Sequence, residues 1–157
     1  MDQLHRYQTH LVWTGNNGSG TDGYRNYERS YRLWVDNKPV IEGSSDPMFR
    51  GDREKYNPED LLVAALSSCH MLSFLHVCVD AGVIVTEYFD DAEGFMHFDK
   101  KGGGRFTEVI LRPRVTVLRD EMVDRIHELH QKASQNCFIA NSVNFPVRHE
   151  PETRVAH

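Results

Sequence analysis

Cysteine is scarce in this chain, three in 157 residues, and no two of the three stand in a CxxC spacing. That scarcity excludes a disulfide framework and a zinc ribbon, and leaves each thiol as either reactive or buried filling. Long apolar runs are also missing. No run approaches the ~18 residues of a membrane span, and the opening MDQLHRYQTH lacks the basic-then-apolar layout of a secretory signal. The expected compartment is the cytoplasm, without a membrane partner. Cations are outnumbered, 18 Lys and Arg against 23 Asp and Glu for a net charge of −5, and they are dispersed rather than striped. This argues against a nucleic-acid footprint and favours a neutral or amphipathic small substrate. No serine lies in a GxSxG elbow, so a hydrolase of that type is unsupported, and no repeat or low-complexity tract appears.

Hydrophobic residues make up 39% of the sequence, enough for one core without staples, and a single domain over residues 1–157 is expected. Alternation predicts a strand after residue 7 that dissolves into GNNGSG, and a second over Tyr27 to Val35 with Tyr27, Arg29, Tyr31, Leu33 and Val35 on one face. A short strand follows around Val40 to Glu42, then a charged loop. Asn57 can cap a helix, Pro58 suits its first position, and Glu59 and Asp60 place negative charge in its positive first turn. The helix is expected from Pro58 to about Ala81 with Gly82 as its stop. Its sequence, LLVAALSSCHMLSFLHVCVDA, is apolar or small nearly all round, which predicts burial on most sides.

Beyond Gly82, the runs VIVTEYF, GFMHFD and FTEVILRPRVTVL predict a three-stranded antiparallel meander. Asp120 opens a second helix with Met122, Val123, Ile126, Leu129 and Ala133 on one stripe. Asn136 is expected to cap a third, short helix starting at Cys137, and the tail RHEPETRVAH is expected to be loose.

Cys69 and Cys78 share the first helix nine residues apart, so they point to opposite sides about 13 Å apart along the axis. An intact helix cannot join them. Any intramolecular dithiol therefore pairs Cys137 with Cys69 or with Cys78. Cys69 sits in the small, polar patch Ser67-Ser68-Cys69-His70, whereas Cys78 lies between Val77 and Val79 and reads as core filling. At the first turn of a helix, Cys137 would be favoured as a thiolate. The competing reading makes Cys69 and Cys137 small core residues, and periodicity alone leaves both open. Glu59, ten residues before Cys69 and about 15 Å away along the axis, cannot touch it directly, but an arginine held by Glu59 would reach. Arg50 and Arg53 precede the helix. First-turn dipole compensation is the alternative role of Glu59.

The stretch Asn57-Pro58-Glu59-Asp60-Leu61-Leu62 followed by Ala64-Ala65-Leu66-Ser67-Ser68-Cys69, with the later Ala133 to Val143 segment around Cys137, resembles the OsmC/Ohr family of organic hydroperoxide reductases over about residues 10 to 145. The resemblance implies an α+β fold in which antiparallel sheets wrap long central helices and two chains intertwine as a homodimer. It implies that a Cys69 thiolate attacks the peroxide and that Cys137 resolves the sulfenic acid as a disulfide. Glu59 would orient an arginine, best matched by Arg50 with Arg53, Arg25 and Arg29 as alternatives. No cofactor or metal is implied; an external dithiol or lipoyl-type reductant restores the enzyme. Leu66, Phe74 and Phe138 would line a channel for organic peroxides. Phe138 stands where many members carry proline, which marks a divergent branch.

Two rivals remain. Cys69, His70, His76 and Cys78 are close in sequence and His127 with His130 is an i, i+3 pair, but only Cys69 and His76 share a face, and His127 and His130 read as solvent-facing. A non-catalytic redox sensor or apolar-ligand binder shares every feature with the peroxidase, and only turnover separates them.

Overall fold

The computed structural model describes residues 2–157 and is of the expected α+β class. The chain divides into two compact units, Met1–Leu61 and Leu62–His157.

The first unit holds a three-stranded antiparallel sheet in the order β1 (His10–Trp13), β2 (Tyr31–Trp34), β3 (Ile41–Gly43). Leu11 stands opposite Leu33, and Leu33 opposite Ile41. The strand expected over Tyr27 to Val35 is shorter than the alternation suggests, because residues up to Ser30 are claimed by a loop with its own bonds. The Trp13 indole donates to the Glu28 carbonyl at 2.9 Å, and the Glu28 amide donates to the Gly15 carbonyl at 2.9 Å. A Cβ on Gly15 would lie 1.8 Å from that Glu28 oxygen, so only glycine fits there. A 3-10 turn (Pro47–Phe49) follows, capped by Asp46, whose carboxylate accepts the Met48 amide at 2.7 Å.

Helix α1 (Pro58–Asp80) starts and stops where its local signals place it. At its start the Asp60 amide donates to Asn57 Oδ1 at 2.8 Å and the Asn57 amide donates to Asp60 Oδ2 at 3.1 Å, a reciprocal capping box. At its end Gly82 adopts φ 71°, while Val83 donates to the Cys78 carbonyl and Gly82 to that of Val79, the double bond of a Schellman stop.

In the second unit, the strands after Gly82 do not form the expected meander. They form one long hairpin bent in the middle, so that its two halves lie in different sheets. β4 (Val85–Asp90) pairs with β7 (Pro113–Val117), and β5 (Glu93–Phe98) with β6 (Gly104–Leu111). The register carries across the bend: Asp90 faces Pro113 and, three residues further on, Glu93 faces Ile110. Pro113 has no amide hydrogen to continue the ladder, and the Arg112 amide turns aside to Asp90 Oδ1 at 2.6 Å. The bend follows from these two residues. The tail expected to be loose is ordered: β8 (Val147–His149) adds parallel to β6, and β9 (Glu152–Val155) parallel to β7.

The second helical segment begins as a 3-10 turn (Asp120–Arg125) and becomes α2 (Ile126–Asn136). Met122, Ile126, Leu129 and Ala133 are buried as the stripe predicts. α1 supplies both cores of this unit. Leu66 packs with Val109 and Leu111 of β6, while Phe74, Val77 and Cys78 pack with β7 and the α2 stripe. Burying a side chain such as Phe74 contributes about 1.5–3 kcal/mol. Other apolar residues of α1, Leu72 and Val79, are exposed within one chain, so the helix is not buried on most sides by its own fold. Its length and composition would also let it cross a membrane, a test that a soluble core helix passes too. The count of uninterrupted apolar residues missed this because serine and histidine break the run without lowering its average enough.

Candidate active site

Cys69 lies half-buried in the middle of α1, and Cys137 is the buried residue directly after α2. Both are free thiols, and they lie near enough for Cys69 to act on the Cys137 thiol. The expected third helix does not begin at Cys137. Asn136 is the last residue of α2, and Cys137 ends that helix with an extended backbone, φ −74° and ψ 109°. An irregular turn follows, closing in a 3-10 segment (Ala140–Ser142). The Ala140 amide donates to Cys137 Sγ at 3.5 Å, so the backbone does offer the sulfur a hydrogen bond. Burial and the hydrogen bond with Cys69 outweigh it and push the Cys137 thiol up to about 11. The thiolate stabilisation that the backbone offers is therefore outweighed in the reduced protein, and Cys137 does not stand at a helix start.

Cys78 is buried among apolar side chains, and burial pushes its thiol up to about 11. It is core filling, as its valine neighbours predict. Leu66 and Phe74, expected along a channel, are fully buried core residues, because the same face of α1 that carries them meets the sheets. Phe138, beside Cys137, is 81% exposed.

The serines before Cys69 have separate roles. Ser68 donates back to the Ala64 carbonyl at 2.8 Å, and Ser67 donates to Asp90 Oδ2 at 2.5 Å, tying α1 to the bend of the hairpin. His70 turns inward. Its Nε2 lies 3.0 Å from His130 Nδ1, and its ring centroid is 4.3 Å from that of His149. Burial, then the neighbouring imidazoles, push His70 down to about 3 and His130 down to about 4. His130 is thus not solvent-facing as its i, i+3 relation to His127 suggested; it sits four residues after Ile126 and three before Ala133, within the buried stripe. That spacing was the signal for it. His149 and Asp90 had no comparable local signal, since the contacts that matter come from strands distant in sequence.

The metal rival gains no ligand set here. His76 points to the exposed side of α1, 3.5 Å from Asp80. Among the described residues no three His, Cys, Asp or Glu side chains converge as a metal-holding group.

In the first unit, Glu59 is half-buried on the first turn of α1, where it and Asp60 add to burial in raising the Tyr31 phenol. Arg50 is exposed and ends the 3-10 turn in a left-handed conformation, φ 64°. No ion pair joins Glu59 to Arg50 among the described residues. Arg53 and Arg25 are exposed. Arg29 is held more firmly: its guanidinium lies 3.9 Å from the Tyr27 ring and 4.4 Å from that of Tyr24, and donates to both of their carbonyls at 2.7 Å.

The OsmC-like protein family model matches residues 51–152. VCA0330 of Vibrio cholerae O1 biovar eltor, an OsmC-like protein of unknown function, is 31% identical with a TM-score of 0.84, covering 95% of this chain and 100% of its own. An organic hydroperoxide resistance protein of Elizabethkingia anophelis shares the fold at 20% identity and a TM-score of 0.69, covering 99% and 100%. The uncharacterized protein YmaD of Bacillus subtilis is 25% identical over 108 residues, 67% of this chain and 71% of YmaD.

Proposed function

Because the chain belongs to the OsmC-like protein family, we propose that it is a thiol-dependent peroxidase that reduces organic hydroperoxides and, secondarily, hydrogen peroxide. The observation that carries this reading is the proximity of Cys69 to Cys137, whose thiol it helps to raise, with Cys78 set apart in apolar core. In the first step the Cys69 thiolate attacks the peroxide: an S–O bond forms, the O–O bond breaks, and the departing alkoxide takes a proton and leaves as alcohol. In the second, the Cys137 sulfur attacks the sulfenic sulfur. The S–S bond forms, the S–O bond breaks, and the thiol proton of Cys137 leaves with the hydroxide as water. An external dithiol of the lipoyl type then reduces the disulfide.

Glu59 and Arg50 enter as the pair that stabilises the Cys69 thiolate and the departing oxygen. Since no ion pair joins them among the described residues, that pairing belongs in this reading to the substrate-bound or dimeric state. A cytoplasmic homodimer is part of the reading, and the exposed Leu72 and Val79 of α1 support it as apolar surface in want of cover. The exposed Phe138 beside Cys137 supports an apolar substrate, as does the presence of organic hydroperoxide resistance proteins among chains of the same fold.

A redox sensor or apolar-ligand binder is the second reading. The thiol of Cys137, pushed up to about 11, favours it by slowing disulfide closure. Consumption of tert-butyl hydroperoxide and hydrogen peroxide with dihydrolipoamide separates the two. Turnover that disappears in Cys69→Ser and Cys137→Ser but persists in Cys78→Ser is the expected result. A parent protein that turns over neither peroxide, with its thiols still titratable, would leave the sensor as the better account.

A further inference from the structure

The largest concentration of buried polar atoms in the second unit is one that the thiol chemistry does not use. His70 and His130 are 1% and 3% exposed, and their hydrogen bond is flanked by the His149 ring against His70 and the Phe74 ring, 4.1 Å away, against His130. His70 Nδ1, His130 Nε2, His149 Nε2 and the Tyr88 hydroxyl are buried without a partner. Unpartnered polar atoms in an interior are costly, and apolar rings of the same shape would pack there at less cost. An imidazole pair in this place works against local stability, which asks for a compensating role.

Its position suggests one. Among the described residues, His70 to His130 is the only hydrogen bond between residues within α1 and α2; at their other ends Arg125, just before α2, donates to the Ala81 carbonyl, just after α1, at 2.9 Å. The contact between Cys69 and Cys137 bridges the same two segments, one residue away on α1 and seven away on the other side. The remaining packing between these helices is apolar, through Phe74, Val77 and Cys78 on one and Ile126, Leu129 and Ala133 on the other. Apolar contacts are non-directional and tolerate sliding, whereas a hydrogen bond fixes direction and distance. A neutral pair can hold its single shared hydrogen on either nitrogen, and both tautomers keep the bond; rings that are both fully protonated would set N–H against N–H. Burial keeps both imidazoles neutral around neutral pH, so the bond persists there.

We propose that His70 and His130 are positioning residues for the dithiol: their hydrogen bond fixes the end of α2 against α1 so that Cys137 stays within reach of Cys69. The inference rests on the thiol-pair reading above and deepens it.

The test is the equilibrium between the protein dithiol and the oxidised, cyclic form of dithiothreitol. One protein disulfide and one reduced dithiothreitol form for each pair consumed, two electrons and two protons passing between them. The constant is measured for the parent chain, His130→Phe and His130→Asn, with peptide mapping to identify the linked cysteines and urea unfolding on the same samples. His130→Phe keeps the stacking on Phe74 and removes the unpartnered Nε2 but leaves His70 Nε2 without its partner, so its unfolding midpoint is expected to change little while its disulfide constant falls about five- to ten-fold. In His130→Asn the Oδ1 atom stands near the place of Nδ1, and the constant is expected to return to within about two-fold of the parent. Should the phenylalanine variant not fold, His70→Met and His70→Gln make the same comparison from the other side of the bond. Parent-like disulfide constants in His130→Phe would overturn the positioning role alone, as would a loss in His130→Phe that tracks stability and is not restored by asparagine. A parent chain that forms no Cys69–Cys137 disulfide would overturn this inference and the peroxidase reading together.

Discussion

Two stretches of α1, only a turn apart, meet different surroundings. From Phe74 to Cys78 the helix faces apolar side chains of β7 and α2, apart from the His130 ring stacked on Phe74, and the cysteine there is a protonated filler. From Ser67 to His70 it faces polar groups: Asp90 at the hairpin bend, His130, His149, and the thiol of Cys137. The backbone is the same regular helix in both. What separates an inert thiol from a candidate redox thiol is therefore what the other elements bring opposite it, and the bend at Arg112–Pro113 is the device that places Asp90 there.

Truncating the apolar stretch sharpens this contrast most. Phe74→Ala is expected to cost about 3–5 kcal/mol, read from urea unfolding, while Cys69 and Cys137 still form their disulfide under conditions where the variant is folded. If the same change abolished the disulfide in folded protein, the two stretches would not be separable.

Acid acts on the polar stretch instead. The unfolded chain takes up protons on its imidazoles near their ordinary value of about 6.5, the folded chain only near 3 at His70 and 4 at His130. The unfolded state thus binds more protons throughout that window, so stability is full above about pH 6.5 and is lost as the pH falls. The surrounding groups are His149, also lowered by burial, His127 acting on His130, and Asp90, which opposes the shift at His149. Tyr88, raised by burial, stays neutral. Between pH 6.5 and 5, above the carboxylate range, a loss on the order of 2–4 kcal/mol is expected, and His130→Phe should remove roughly a third to a half of it. A flat unfolding midpoint across that range would contradict the burial of neutral histidines.

The smallest effect lies at the start of α1, away from both stretches. Asn57→Ala removes the cap that receives the Asp60 amide and should cost about 1 kcal/mol without altering the pH dependence.

Local signals were legible. Asn57, Pro58 and Gly82 bound α1 because caps and stops are made by residues within a turn of one another. The burial of Cys78 was legible from its valine neighbours, while the assignment of Cys69 and Cys137 rests on a motif resemblance rather than on periodicity. Alternation identified strands but not their partners, since β4 meets β7 and β8 meets β6 across long stretches of chain. The tail looked loose for that reason: its charged and proline-bearing sequence has no stability of its own and gains order only from sheet edges elsewhere. His130 departs from the solvent-facing expectation because two histidines three apart suggest a shared face, whereas the edge of the buried stripe runs between them, with His127 outside it and His130 within. The Cys137 turn was misread because Asn136 is as good a last helical residue as a first cap.

Oxidation of the reduced chain with one equivalent of tert-butyl hydroperoxide, followed by alkylation and peptide mapping, tests whether Cys69 and Cys137 form the redox pair. A Cys69–Cys137 disulfide is expected, with Cys78 alkylated once the chain is unfolded. A disulfide that includes Cys78, or three alkylated thiols after the peroxide has been consumed, would contradict it.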